Sequence, residues 1–221
     1  GRSARIDFFM MPLTKNLSYR NGDRSDAHPR WTSAETIGQE SRLAPADPGE
    51  ARILQAALQI LAQGELLLGA LSGAAYTEKV PLAFNGSIGG HYRHCLDHFT
   101  SLMRGLAGDE INYDHRERDR RIESDPEFAL MLTREMRRRL EMLAPDALRF
   151  PVSARCEVSY AHGHAPRTLS TVGRELVYVI AHAIHHFALI SVMARLMNVP
   201  LPEHFGVAPS TVAHQAKAQA H

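Results

Sequence analysis

Histidine carries the chemistry in this sequence. The chain of 221 residues holds 13 histidines, and six of them fall in two short windows, 91–98 and 182–186. The later window sits in an apolar stretch, ELVYVIAHAIHHFALISVMARL (175–196), where leucines would serve a core better. On a helix, about 100° per residue puts His182 and His186 about 40° apart on one face, one turn above the other. Two imidazoles at that spacing can point at one cation about 2.0–2.1 Å from each nitrogen. His185 lies about 60° to the other side of His182 and about 100° from His186, so it is the poorest partner of the three. In the earlier window His91, His94 and His98 follow i, i+3, i+7, again on one face. One ligand from there would complete three, leaving a coordination position open for water or substrate. Burying several imidazoles without partners costs desolvation energy, and a shared cation satisfies several at once.

Other groups stand in reach by spacing. Asp97 follows His94 by three and Glu175 precedes His182 by seven, so either can orient a ligand imidazole by accepting its second N–H. The polar connection INYDHRERD (111–119) brings Tyr113, Asp114, His115, Arg116 and Arg118 together. Folded over the open end of a helical body, Arg116 could bind a substrate carboxylate, with Tyr113 or His115 near the metal. REMRRRLE (134–141) reads as an exposed helix face whose arginines pair with Glu at i±3 and i±4. Cys95 is expected in the core, and Cys95 and Cys156 form no metal or redox spacing.

These residues need long helices to position them. The stretch 46–76 predicts a first helix, with Pro48 and Glu50 in its first turn and Ile53, Ala57, Ile60, Leu61, Leu67, Leu68 and Leu71 as its apolar stripe. A second helix is predicted over 84–108, capped by Asn85 or Ser87 and stopped at Gly108. A third, 124–143, has Ser124 or Asp125 as cap, with Phe128, Met131, Leu132, Met136, Leu140 and Leu143 facing inward. Residues 150–169 alternate apolar and polar, which predicts a short β-hairpin broken at 161–165. The fourth helix starts at Ser170 or Thr171 and ends before Pro200 and Pro202. The expected fold is therefore all-α, a four-helix bundle over 49–204 with a short hairpin between helices 3 and 4. Residues 1–48 read as a flexible leader, and 205–221 as a partly packed tail.

Composition narrows the function classes. Lys and Arg number 25 against 24 Asp and Glu, so no global charge argues for nucleic acid or an anionic membrane. Two distant cysteines suit a reducing setting. No apolar run was expected to reach the ~20 residues that span a bilayer. A cytoplasmic protein is the expectation, with no membrane partner and with a homodimer compatible.

GGHYRHCLDHF (89–99) followed by HAIHHFALI (182–190) resembles the DinB-like family of metal-binding four-helix bundles, over about residues 50–200. The resemblance implies ligands at His182 and His186, with Phe187, Ala188 and Leu189 in place of the Arg-Gly-Gln that often follows. It implies His94 as the ligand from helix two, since related sulfoxide-synthase domains carry a W-H-x-x-H pattern that aligns with residues 90–94. His91 and His98 then stand as alternative or supporting residues. Family members include thiol-dependent transferases, isomerases and metal-dependent hydrolases.

The functional expectation is a metal-dependent enzyme, a hydrolase or thiol-dependent transferase acting on a small molecule. Zn²⁺ is the leading metal, with Ni²⁺, Fe²⁺ or Mn²⁺ compatible with the same ligands, and a low-molecular-weight thiol is a candidate second cofactor. No glutamate lies inside the H-x-x-x-H, which favours substrate or thiol coordination over proteolysis. The alternatives are a non-catalytic metal-stabilised or metal-sensing bundle, closed by a fourth ligand such as His91 or His98, and a metal-free interaction module.

Overall fold

The computed structural model describes residues 47–108, 110–160 and 164–219. Of the expected leader, 1–48, residues 1–46 lie outside the described residues, and Asp47 and Pro48 are instead the cap and first residue of a helix. Asp47 opens α1 (Pro48–Ala70) through a reciprocal capping box with Glu50, and Pro48 occupies the first helical position. The buried stripe is Leu54, Ala57, Ile60, Leu61, Leu67 and Leu68, with Ile53 only half-buried.

The first helix is shorter than expected. Leu71 turns extended, and the Ser72 hydroxyl accepts from the Ala75 amide to start a separate helix, α2 (Gly73–Thr77). A cap residue inside an apolar run broke a helix that periodicity alone continued. Ser87, not Asn85, caps α3 (Ile88–Gly108), accepting from the Gly90 amide at 3.1 Å. Asn85 takes a left-handed turn conformation instead.

The connection after α3 is more ordered than its polarity suggested. It contains β1 (Glu110–Asn112) and α4 (Arg120–Ser124). Ile111 is fully buried, and a single apolar residue in a charged stretch is too little signal for a strand paired at long range. Asp125, not Ser124, caps α5 (Pro126–Glu141) through the Glu127 and Phe128 amides. Its inward face is Ala129, Thr133, Met136 and Leu140. Met131 is exposed, and Phe128 is half-buried beneath the Arg121 guanidinium. Met136, Leu140 and Leu143 are buried as expected, while in the first half of the helix the inward face is the small Ala129 and Thr133, with the Tyr92 hydroxyl 2.8 Å from Thr133 Oγ1. The arginines of α5 pair with Glu135, Glu141 and Glu65 as an exposed, ion-paired face.

β2 (Pro151–Arg155) and β3 (Arg167–Thr171) pair antiparallel, from Pro151↔Thr171 to Arg155↔Arg167, as an expected hairpin with a longer connection. β1 adds to β2 in parallel, so the sheet order is β1-β2-β3. The fold is thus mostly helical with a small three-stranded mixed sheet, not purely α.

Thr171 caps α6 (Val172–Leu196), accepting from the Arg174 amide. The helix ends before the prolines. Asn198 is left-handed, and the Val199 and Asn198 amides bond back to the Ala194 and Arg195 carbonyls in a Schellman arrangement. α6 packs on α3 and α1, and α1 packs on α5. The chain then returns over α6: Phe205 is buried and stacks on Phe187 with centroids 4.6 Å apart. Gly206, at φ +72°, passes so close that a Cβ would meet the Phe187 carbonyl carbon at 2.5 Å. α7 (Pro209–Gln219) buries no residue.

The expectation about apolar runs is corrected. α1, with 23 residues, and α6, with 25, are long and apolar enough to cross a membrane by length and composition. Scattered histidines, Gln and Glu interrupt the apolar residues of both helices, so neither contains a long continuous apolar run.

Candidate metal centre

The packing of α3 on α6 brings the two histidine windows together. One ring nitrogen each from His94, His182 and His186 lies within 4.8 Å of the others. His94 Nε2 is 2.9 Å from His182 Nε2. Nitrogens sharing one tetrahedral zinc at ~2.0–2.1 Å stand about 3.4 Å apart, so the cluster is near the required spacing. His185 is exposed, its ring beside His186 but turned outward, as its helical angle implied.

His91 and His98 flank the three differently. His91 Nδ1 lies 3.0 Å from His186 Nδ1, so one ring donates to the other. His98 is buried and donates from Nδ1 to the His94 carbonyl at 2.9 Å, while its ring stacks on His182 at 3.9 Å. With Nδ1 protonated, the neutral His98 ring has its lone pair at Nε2.

Arg116 reaches the cluster from the connection after β1, its NH1 3.0 Å from His94 Nδ1. A guanidinium has no acceptor, so Nδ1 must accept. The neutral His94 ring therefore carries its proton on Nε2, facing His182 Nε2. Arg116 Nε is buried with no partner among the described residues.

Burial is the first cause of every histidine shift here, and neighbouring cationic groups add to it. His94 is pushed down to about 2, with His98, His186 and Arg116 adding to burial. His186 falls to about 3 and His98 to about 4. His182 and His91 are also lowered, by burial and then by His185. All five imidazoles are therefore neutral near pH 7, the form that donates a lone pair to a metal.

The carboxylates do other work than expected. Glu175, 2% exposed, accepts from Tyr113 Oη at 2.9 Å, Ser170 Oγ at 2.6 Å and Arg174 at 3.2 Å, not from a histidine. Seven residues are two helical turns, about 10 Å along the axis, which puts Glu175 beyond hydrogen-bond reach of His182. Asp97 binds Arg93 at 2.8 Å, and burial raises its pKa despite that partner. At i+3 it lies beside His94 on α3, yet it is spent on the helix's own arginine. Tyr113 is buried behind His98, stacked at 5.4 Å, with its hydroxyl committed to Glu175. His115 is exposed.

Two residues at the site were missed. Tyr178 lies one turn before His182, and its ring centroid is 5.8 Å from that of His182. The i, i+4, i+8 series Tyr178, His182, His186 would have found it. Cys156, just past β2, lies 4.0 Å from Tyr178 Oη. No local spacing announces it, because packing across 22 residues of sequence brings Cys156 to Tyr178. Burial raises the Cys156 thiol and pushes Tyr178 up to about 12, so both stay protonated near neutral pH.

Fold and site thus define a mostly helical protein whose two packed helices present three clustered, neutral histidines. No family model matches the chain. Among curated proteins it is similar to FK506-binding protein 5 of Rhizopus delemar, 33% identical over 107 residues, which is 48% of this chain and 28% of that protein. The chain therefore spans little more than a quarter of the length of that relative. No solved structure matches. The expected membership of the DinB-like family is corrected by these findings. Its motifs here were short histidine spacings, which helix periodicity imposes wherever helices present imidazoles on one face, so they do not define a family.

Proposed function

We propose that the chain binds one divalent metal, with Zn²⁺ the leading candidate, through His94, His182 and His186, and acts as a metal-dependent enzyme on a small molecule. The observation that carries this reading is the convergence of three neutral ring nitrogens from two packed helices within 4.8 Å. Packing of α1 on α5 and α6, and of α3 on α6 and α5, supports a four-helix-bundle arrangement around them. The donor set suits Zn²⁺ well, and Ni²⁺, Fe²⁺ or Mn²⁺ by ligand type. A bound metal would supply Lewis acidity, lowering the pKa of a water or holding a thiolate, consistent with a hydrolase or a thiol-dependent transferase.

The chain's own residues prepare the site for this. Burial keeps the three ligand rings neutral. His98 braces His182 by stacking, and Tyr113, anchored on Glu175, braces His98. Arg116 brings a guanidinium up to the His94 ring. The second reading is a non-catalytic metal-stabilised or metal-sensing bundle, favoured by His91 beside His186, which could supply a fourth ligand.

Protein purified without added metal or nickel resin is expected to hold about one metal per chain, lost in His182→Ala/His186→Ala. A wild type that is metal-free and takes up none of the four ions refutes the reading. X-ray absorption then separates enzyme from structural site: three imidazoles plus an oxygen ligand support the first, four imidazoles the second.

A further inference from the structure

The hydrogen bond from Arg116 to His94 cannot coexist with a metal on His94 Nε2. While Nδ1 accepts from the guanidinium, the neutral ring's proton sits on Nε2. A metal takes the Nε2 lone pair, so the proton must transfer to Nδ1, by exchange through water. Nδ1–H would then oppose an Arg116 N–H at 3.0 Å, two donors face to face.

We propose that metal binding ejects Arg116 from His94 and thereby creates an anion site, so that the protein binds metal first and a carboxylate-bearing small molecule second. This rests on the metal reading above and adds the substrate's charge and the order of binding. The released guanidinium starts with Nε already buried and unpartnered, and loses the acceptor of NH1 as well. An Arg with two unsatisfied donors in a half-buried site needs an acceptor, and a carboxylate matches its planar fork. The internal competitor is Asp97, whose Oδ2 is already held by Arg93 at 2.8 Å.

The test measures zinc affinity by chelator competition, with and without acetate, allowing for zinc–acetate complexes in solution. In the wild type, acetate should tighten zinc, zinc should tighten acetate by the same factor, and metal-free protein should ignore acetate. Arg116→Met should bind zinc about tenfold tighter without acetate, because no charge-assisted bond has to break. It should lose most of the acetate coupling, and Arg116→Lys should keep part of it. Imidazole ¹⁵N spectra of His94 should report Nε2–H without zinc and Nδ1–H with it.

If zinc binds but Arg116→Met matches the wild type in affinity and coupling, the proposal is overturned. Absence of acetate coupling in the wild type, as when Arg116 moves onto Asp97, overturns it equally. If wild type and His182→Ala/His186→Ala alike fail to take zinc, the metal reading itself has failed.

Discussion

At the residue scale, five imidazoles share a small volume, and burial first, then nearby cationic groups, makes each harder to protonate. Burial, with neighbouring charge, holds His94, His186 and His98 down at about 2, 3 and 4. An unfolded histidine titrates near 6.5. Between those values the unfolded chain binds more protons than the folded one, so stability rises with pH and is lost as pH falls. The contribution is complete above about pH 6.5, and each of these histidines costs at most about 1.4 kcal/mol per pH unit below it. Carboxylates titrate mainly below pH 5, so the interval from 6.5 to 5 belongs to histidine. Melting of metal-free protein should shift to lower temperature across that interval, and a flat profile would contradict the buried, neutral cluster. His185→Ala should leave metal content unchanged, since that ring is exposed.

At the element scale, the site depends on how closely β1 approaches α3. Gly105 makes this possible: a Cβ there would sit 2.9 Å from Ile111 Cα. Ile111 is fully buried, and the chain leaving β1 carries Tyr113 and Arg116 to the histidines. Gly105→Ala should therefore destabilise the protein by about 1–3 kcal/mol by overpacking, read from urea unfolding. It should also weaken the Arg116-dependent effects on zinc binding while keeping the three ligands. Unchanged stability would mean that β1 can move freely. Glycine in a helix is visible in a sequence, but the strand that needs its missing side chain is not.

At the scale of the whole molecule, the proposed ion would link α3 to α6 across 88 residues of sequence. A ligand that binds only the folded state stabilises it by about 2.7 kcal/mol at 100 times its dissociation constant. For a folded unit of this size that corresponds to a rise of about 5–10 °C in melting temperature. Zinc should produce this in the wild type and not in His182→Ala/His186→Ala, measured by calorimetry. Equal shifts in both would place zinc elsewhere on the protein. The outer face of α6 leaves Val177, Val192 and Leu196 exposed, and α1 leaves Leu66 exposed.

The sequence by itself determined the long helices and the faces on which His91, His94, His98, His182 and His186 lie, because helix periodicity is local. The caps were legible for the same reason as pairs, Ser124 or Asp125 and Ser170 or Thr171, of which the structure uses Asp125 and Thr171. The helix break at Ser72, the exposure of Met131 and the strand at Ile111 depart from the local pattern, since a competing cap, small residues under a neighbour and long-range pairing leave no local period. Only the tertiary structure decided which histidines meet and which carboxylates do not reach them. Glu175 and Asp97 were plausible by spacing, yet their nearer donors Tyr113, Ser170 and Arg93 claimed them. The hydrogen bond of Arg116 to His94 and the approach of Cys156 to Tyr178 depend on how the sheet seats against α3 and α6, which no spacing along the chain encodes.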